Sequence, residues 1–337
     1  MLREHLPPHK TATFVLPRYK VVYVSVPKAA CTSFKWLIAD LQEEDRERFY
    51  RSISREVGRA MTIHRRQRWR KTPMLHQLSD AELAEISPET GWFIFAVVRH
   101  PAARLWAAWQ SKFLLRDPRW MQEFADAPWL PRLPTSTGDV ADDFARFVES
   151  LAQDRAQSVL RDRHFMSQRR LVTPHSTPYT RIYDTREIPA LLEDLATQLR
   201  SHDWDGGLEL RHSNESPLAP LRSMFTPAVT DAIADLYGDD LETFGYRDAL
   251  PAAVDPSTEY PRALLLAIGL LAERGERLGD LALRTQALTE TTRELRERNG
   301  ALRDQNRALR AKQRSLRARP ALRSIVHRAY RKLSGPG

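Results

Sequence analysis

The chain has 337 residues, 52 Lys+Arg against 43 Asp+Glu, one cysteine and 42% hydrophobic residues. That length suits about two domains, or one large domain with an appendage, and the apolar content excludes a disordered chain. The single Cys31 excludes an internal disulfide framework and a multi-cysteine zinc site, and no apolar run reaches the ~18–20 residues of a membrane span. The longest run, Ala263 to Ala272, is too short, and the opening MLREHLPPHK lacks the apolar stretch of a signal peptide. A soluble, cytoplasmic protein is the expectation. Charge is uneven: from Arg262 onward there are 18 basic and 7 acidic residues, against 34 and 36 before it. A near-neutral body therefore carries a basic tail.

Residues 1–18, with Pro7, Pro8 and Pro17, read as irregular. Val21–Val26 (VVYVSV) reads as a buried strand, PKAACTS as a turn, and FKWLIADLQEE as a helix. Residues 45–90 read as mostly helical and charged, broken at Pro73 and Pro88. Gly91–Val98 (GWFIFAVV) is a second strand. It ends in Arg99-His100-Pro101, and a helix follows with Pro101 in its first turn. Asp117–Gly138 reads as a Pro/Trp-rich loop, 139–170 and 187–200 as helical, Arg181–Tyr183 as a third strand, and Ser223–Phe244 as a helix. Pro251–Tyr260 reads as a linker. Strands alternating with helices imply an α/β sheet with parallel strands.

Two segments carry chemistry. VVYVSVPKAACTSFKW sets a lysine and two hydroxyls between a buried strand and a helix start, where unpaired backbone N–H groups and the helix dipole favour an anion. It lacks the glycines of a phosphate-binding loop. Thr32 or Ser33 acting as a plain N-cap, with Lys28 solvated, is the other reading. FIFAVVRHPAARLWAAWQSKF repeats the arrangement with Arg99 at the strand end, where ligands sit in open α/β sheets. Arg99 and Arg104 pairing with acids on adjacent elements is the alternative here. Trp106 and Trp109 read as core.

Together the segments resemble the phosphosulfate- and phosphate-binding motifs of membrane-type carbohydrate sulfotransferases, the HNK-1 and chondroitin/dermatan 4-O type (sulfotransferase family 2). That family's PK-x-GCTNWK appears as PKAACTSFK, and its VR-D/H-PFERLLSAY-x-xKF as VRHPAARLWAAWQSKF. Further similarities follow in order: His164-Phe165-Met166-Ser167-Gln168, Asn214-Glu215-Ser216, and Asp240, Glu242, Phe244-Gly245-Tyr246. The resemblance covers about residues 18–247. It implies a P-loop-kinase-like parallel sheet flanked by helices, with 3′-phosphoadenosine-5′-phosphosulfate (PAPS) as donor. It also implies Lys28, Thr32 and Ser33, with the Ala29, Ala30 and Cys31 backbone, on the 5′-phosphosulfate, and Arg99 on the 3′-phosphate. The family's serine eight residues after that arginine is Ala107 here. One charge-assisted hydrogen bond, worth roughly 1.5–3 kcal/mol, is lost unless Ser111 or Lys112 compensates.

Sulfuryl transfer needs charge stabilisation, for which Lys28 is the candidate, and a base for the acceptor proton. His164 is that candidate and His100 the runner-up. Asn214 and Ser216 are candidates for orienting acceptor or donor. No carboxylate cluster or histidine pair with ligand spacing points to a metal. The resemblance implies a carbohydrate or glycolipid hydroxyl as acceptor. Trp120 and Trp129 form either a stacking wall for a sugar or a loop packed on its own aromatics. Cys31 reads as a small packed side chain.

In the tail, Leu281, Leu288, Leu295, Leu302, Leu309 and Leu316 recur every seven residues, a coiled-coil signal. Set as d positions, they put Leu278, Thr285, Thr292, Asn299, Asn306 and Gln313 at a. In a parallel homodimer Arg298 faces Arg303 and Lys312 faces Arg317 of the second copy, which opposes pairing. A weak homodimer aided by anions, an acidic partner helix for residues 278–319, and a basic helix on an anionic membrane or polymer are the readings in that order. The basic residues interleave with the leucines, so sequence-specific nucleic-acid binding is not expected. Pro320 is expected to end the helix. The expected organisation is a PAPS-dependent sulfotransferase domain at 18–250, a coiled coil at 262–319 and a basic tail at 320–337. The alternative is a non-catalytic nucleotide-fold platform serving the coiled coil. Arginine outnumbers lysine 44 to 8, in keeping with a bacterial, GC-rich source.

Overall fold

The computed structural model describes residues 13–50, 61–153, 155–211, 216–246 and 259–333. Four strands form one sheet in the order β1-β2-β3-β4: Thr13–Leu16, Val21–Val24, Phe93–Val98 and Arg181–Asp184. β2, β3 and β4 are parallel, with Val24 opposite Ala96 and Val98 opposite Asp184. β1 runs antiparallel to β2, so the sheet is mixed. Residues 13–16 are thus a strand and not the irregular chain expected over 1–18. They pair because Pro17–Tyr19 makes a tight turn closed by left-handed Lys20, which folds TFVL back onto β2 as a fully buried strand.

The helices used below are α1 (Cys31–Leu41), α2 (Pro101–Trp109), α3 (Pro118–Phe124), α4 (Thr137–Ala152), α5 (Gln168–Val172), α6 (Ile188–Arg200), α7 (Pro227–Thr243) and α8 (Arg262–Leu333). Between α1 and β3 the expected helices are instead 3₁₀ turns and a five-residue helix, Asp80–Ala84; residues 51–60 lie outside the described residues. This segment is held by point contacts. The buried Glu44 carboxylate accepts backbone N–H bonds from Arg70, Lys71 and Thr72, and the Thr72 hydroxyl. Such bonds satisfy a loop's backbone without a regular ladder.

One buried cluster lies on the sheet, around Tyr23, Phe34 and Phe95. A second gathers Trp106, Trp109, Phe113, Trp120, Trp129, Phe144, Phe147 and Phe165 among α2, α4 and α7. Trp120 and Trp129 are buried in it, packed edge-on against Phe113, so the sugar-wall reading of these two tryptophans is incorrect. Aromatic burial of this size outweighs surface presentation.

α8 begins on the body. Leu265, Ile268 and Ala272 are buried, and Gly275 lies so close to the Arg116 carbonyl that a Cβ would meet it at 2.4 Å. The first compact unit therefore runs to Glu276, and the second starts at Arg277. The helix also continues through Pro320 to Leu333, correcting the expected stop. An in-helix proline costs about 3 kcal/mol. Alanine, leucine and arginine on both sides favour helix. All six heptad leucines are exposed. At the a positions Thr285 and Thr292 turn their hydroxyls onto the carbonyls of Leu281 and Leu288.

Candidate active site

Lys28 follows the carboxyl end of β2, and Arg99 follows that of β3. The strands are neighbours, so the two residues meet: Arg99 Nη1 lies 3.5 Å from the Lys28 carbonyl oxygen. The turn into α1 is strained. Lys28 and Ala30 have φ of 68° and 53°, in the left-handed region that disfavours a Cβ. Ala30 stands where the resembling motif has glycine. It is also the N-cap, without a side-chain cap bond, so neither Thr32 nor Ser33 caps α1.

Thr32 serves another connection. Its Oγ1 lies 3.0 Å from His64 Nε2, and Lys35 Nζ donates to His64 Nδ1 at 2.8 Å. Burial, then Lys35, push the His64 pKa down to about 3, so the ring is neutral. With Nδ1 accepting, the ring proton sits on Nε2 and is given to Thr32. The Thr32 hydrogen is then left to donate to an approaching anion. Sequence reasoning missed His64 and Lys35. Lys35 is the last lysine of PKAACTSFK, whereas nothing in the sequence marks His64.

The field is positive. Burial, then Lys112, lower Lys28 to about 8. Burial lowers Lys35 to about 8 and Arg163 to about 10. A desolvated set of cations this dense favours a bound oxyanion. Arg163 reaches the Ser25 carbonyl at 3.3 Å, beside the same loop.

His164 is half-buried. Its Nδ1–H donates to Asp162 Oδ1 at 2.7 Å, leaving the Nε2 lone pair free to take a proton. Burial is the main cause that lowers its pKa to about 4, against the opposing Asp162 bond. Burial raises Asp162, but the hydrogen bonds from His164 prevail and hold it at about 2. Asp162 is a positioning group the sequence reading did not name. His100 has a different role: its Nδ1 accepts from the Ala102 N–H and caps α2, with its ring against Tyr246.

The downstream motifs brace this site. Gln168 accepts the Arg99 N–H at 2.9 Å and donates to the Arg99 carbonyl at 2.7 Å. Asp240 accepts from the Ser167 hydroxyl and from the N–H groups of Gln168 and Arg169, fixing the start of α5. Tyr246 donates to Asp184 at the end of β4. Arg104, 2% exposed, bonds three carbonyls and no acid among the described residues: Pro27 at 3.0 Å, Met166 at 2.8 Å and Arg163 at 2.6 Å. Ala107 is buried. Ser111 bonds the Ala108 carbonyl and Lys112 bonds Asp117 at 2.9 Å, so both named compensators are already engaged. Ser216 is half-buried, and Asn214 lies outside the described residues. Among the described residues, no group of three His, Cys, Asp or Glu side chains is placed to hold a metal, and no helix is long and apolar enough to cross a membrane.

Two adjacent parallel strand ends, one followed by lysine and one by arginine, form an electropositive α/β site. A family model described as the sulfotransferase family matches residues 11–247, and the chain belongs to that family. No curated protein and no solved structure matches it.

Proposed function

We propose that the chain moves a sulfuryl group from PAPS to a hydroxyl of a carbohydrate or glycolipid by in-line displacement, acting in the cytoplasm. The observation that carries this reading is the meeting of Lys28 and Arg99 at adjoining strand ends inside a desolvated cationic cluster. In this reading Lys28, Thr32 and Ser33, with the backbone of Ala29, Ala30 and Cys31, hold the 5′-phosphosulfate, and Arg99 holds the 3′-phosphate. The acceptor oxygen forms its bond to sulfur as the bond from sulfur to the phosphate oxygen breaks. The acceptor proton passes to His164 Nε2, whose tautomer Asp162 fixes. Lys28 neutralises the charge that develops on the leaving phosphate. Residues 18–250 carry transfer, and the heptads at 278–319 pair with a second copy or an acidic helix.

Labelled PAPS offered over glycolipid and polysaccharide extracts should yield a labelled product, and adenosine 3′,5′-bisphosphate should stabilise the protein. No stabilisation at millimolar nucleotide would overturn the donor assignment. The non-catalytic alternative is favoured by one observation, the buried Ala107 in place of a hydroxyl. Nucleotide binding without transfer to any extract would decide for it.

A further inference from the structure

The last turns of α8 differ from the heptad stretch before them. The leucine series ends at Leu316, and the next two positions of its seam are Pro320 and Arg323. A new apolar stripe starts there. Positions 322, 325, 326, 329, 330 and 333 are Leu, Ile, Val, Ala, Tyr and Leu, spaced i, i+3, i+4, i+7, i+8 and i+11. At 3.6 residues per turn these positions centre about 110° round the helix from the leucine seam, so a helix paired along the leucines does not cover them. Ile325, Val326 and Tyr330 are 62%, 61% and 75% exposed. Of the polar positions between them, Ser324 and Arg328 fall on the opposite side, while Arg323 and His327 border Val326 and Tyr330. No acidic residue follows Asp304.

An apolar stripe bordered by basic side chains calls for a partner that offers hydrocarbon and negative charge side by side. An acidic polymer supplies only the charge, and a folded acidic helix supplies little continuous apolar surface. We propose that residues 322–333 lie in the surface of an anionic lipid bilayer. The Ile325/Val326/Tyr330 stripe enters the headgroup–acyl boundary, and the arginines and Lys332 face the lipid phosphates. This inference is independent of the donor and acceptor assigned above.

Cosedimentation of the full chain with phosphatidylcholine vesicles, with and without phosphatidylglycerol, tests it. Binding should be at least about tenfold tighter to the anionic vesicles and should weaken in high salt. Ile325→Asp/Val326→Asp should abolish binding while circular dichroism and bisphosphate affinity stay unchanged. Leu295→Asp/Leu302→Asp, on the other seam, should leave vesicle binding intact. Tyr330→Trp should show blue-shifted fluorescence on anionic vesicles. Failure to bind them, an unshifted tryptophan, or undiminished binding by the Ile325/Val326 variant would overturn the proposal. The last result would assign the attraction to arginine charge alone, as for an anionic polymer.

Discussion

After β2 the chain enters α1 through a turn with two left-handed residues, Lys28 and Ala30, and no side-chain cap. After β3 it enters α2 through Arg99 and His100, with His100 capping the helix and Gln168 clasping both backbone groups of Arg99. The first turn ties the Ala29 N–H back to the Val26 carbonyl, has no side-chain cap, and relies on strain and the Lys35–His64–Thr32 chain for shape. The second uses its polar groups internally and leaves only the guanidinium for a ligand. The contrast teaches where chemistry and where anchoring belong: the uncapped turn suits the reacting end of a ligand, and the clasped turn suits an end that is only held.

Mutations should separate the two turns. Lys28→Ala should reduce transfer by about 10²–10³-fold or more with the thermal midpoint nearly unchanged, read by labelled-donor assay. His164→Ala should lower kcat by about 10²–10⁴-fold. Asp162→Asn should lower it less and alter the pH profile, because the tautomer is no longer enforced. Since His164 sits near 4, the acid limb of kcat/KM should fall near pH 4 rather than near 6.5.

Gln168→Ala leaves the Arg99 N–H and carbonyl without their partner, and should cost about 2–4 kcal/mol of stability in denaturant unfolding. A Gln168→Glu variant keeps the Arg99 N–H bond but sets a buried carboxylate oxygen against the Arg99 carbonyl, and should cost at least as much. Lys28 gives a pH test with opposite signs. Its folded pKa of about 8 lies below the ordinary 10.5, so the unfolded chain binds more protons between them. Stability should therefore rise with pH across that window, while bisphosphate affinity falls by up to about tenfold per pH unit. Calorimetric titration at several pH values measures the second effect. The smallest expected change is Ala30→Gly. Relief of the left-handed Cβ should stabilise the protein by about 1 kcal/mol, offset in part by glycine's chain entropy.

β2 and β3 were legible because uninterrupted β-branched and aromatic runs bound by turn residues admit few other folds. β1 was not, because four residues before a proline carry too little pattern. Its strand state comes from the ladder with β2. Lys28 and Arg99 were legible as cations at strand ends. Asp162, His64 and Lys35 were not, since their roles depend on approaches between elements far apart in sequence. Gln168 and Asp240 stood in recognisable motifs, yet what they do is brace backbone. A motif residue and a ligand-touching residue look the same until the partners are seen.

Arg104 joins the two halves of the site through one buried plane. Its guanidinium holds Pro27, just ahead of the lysine turn, and Arg163 and Met166, which flank His164. The Lys28 turn and the His164 loop are thereby geared to a single side chain. A shift of either carbonyl pulls on the other, so donor arrival should slow amide exchange across residues 163–166 although no donor atom need reach them.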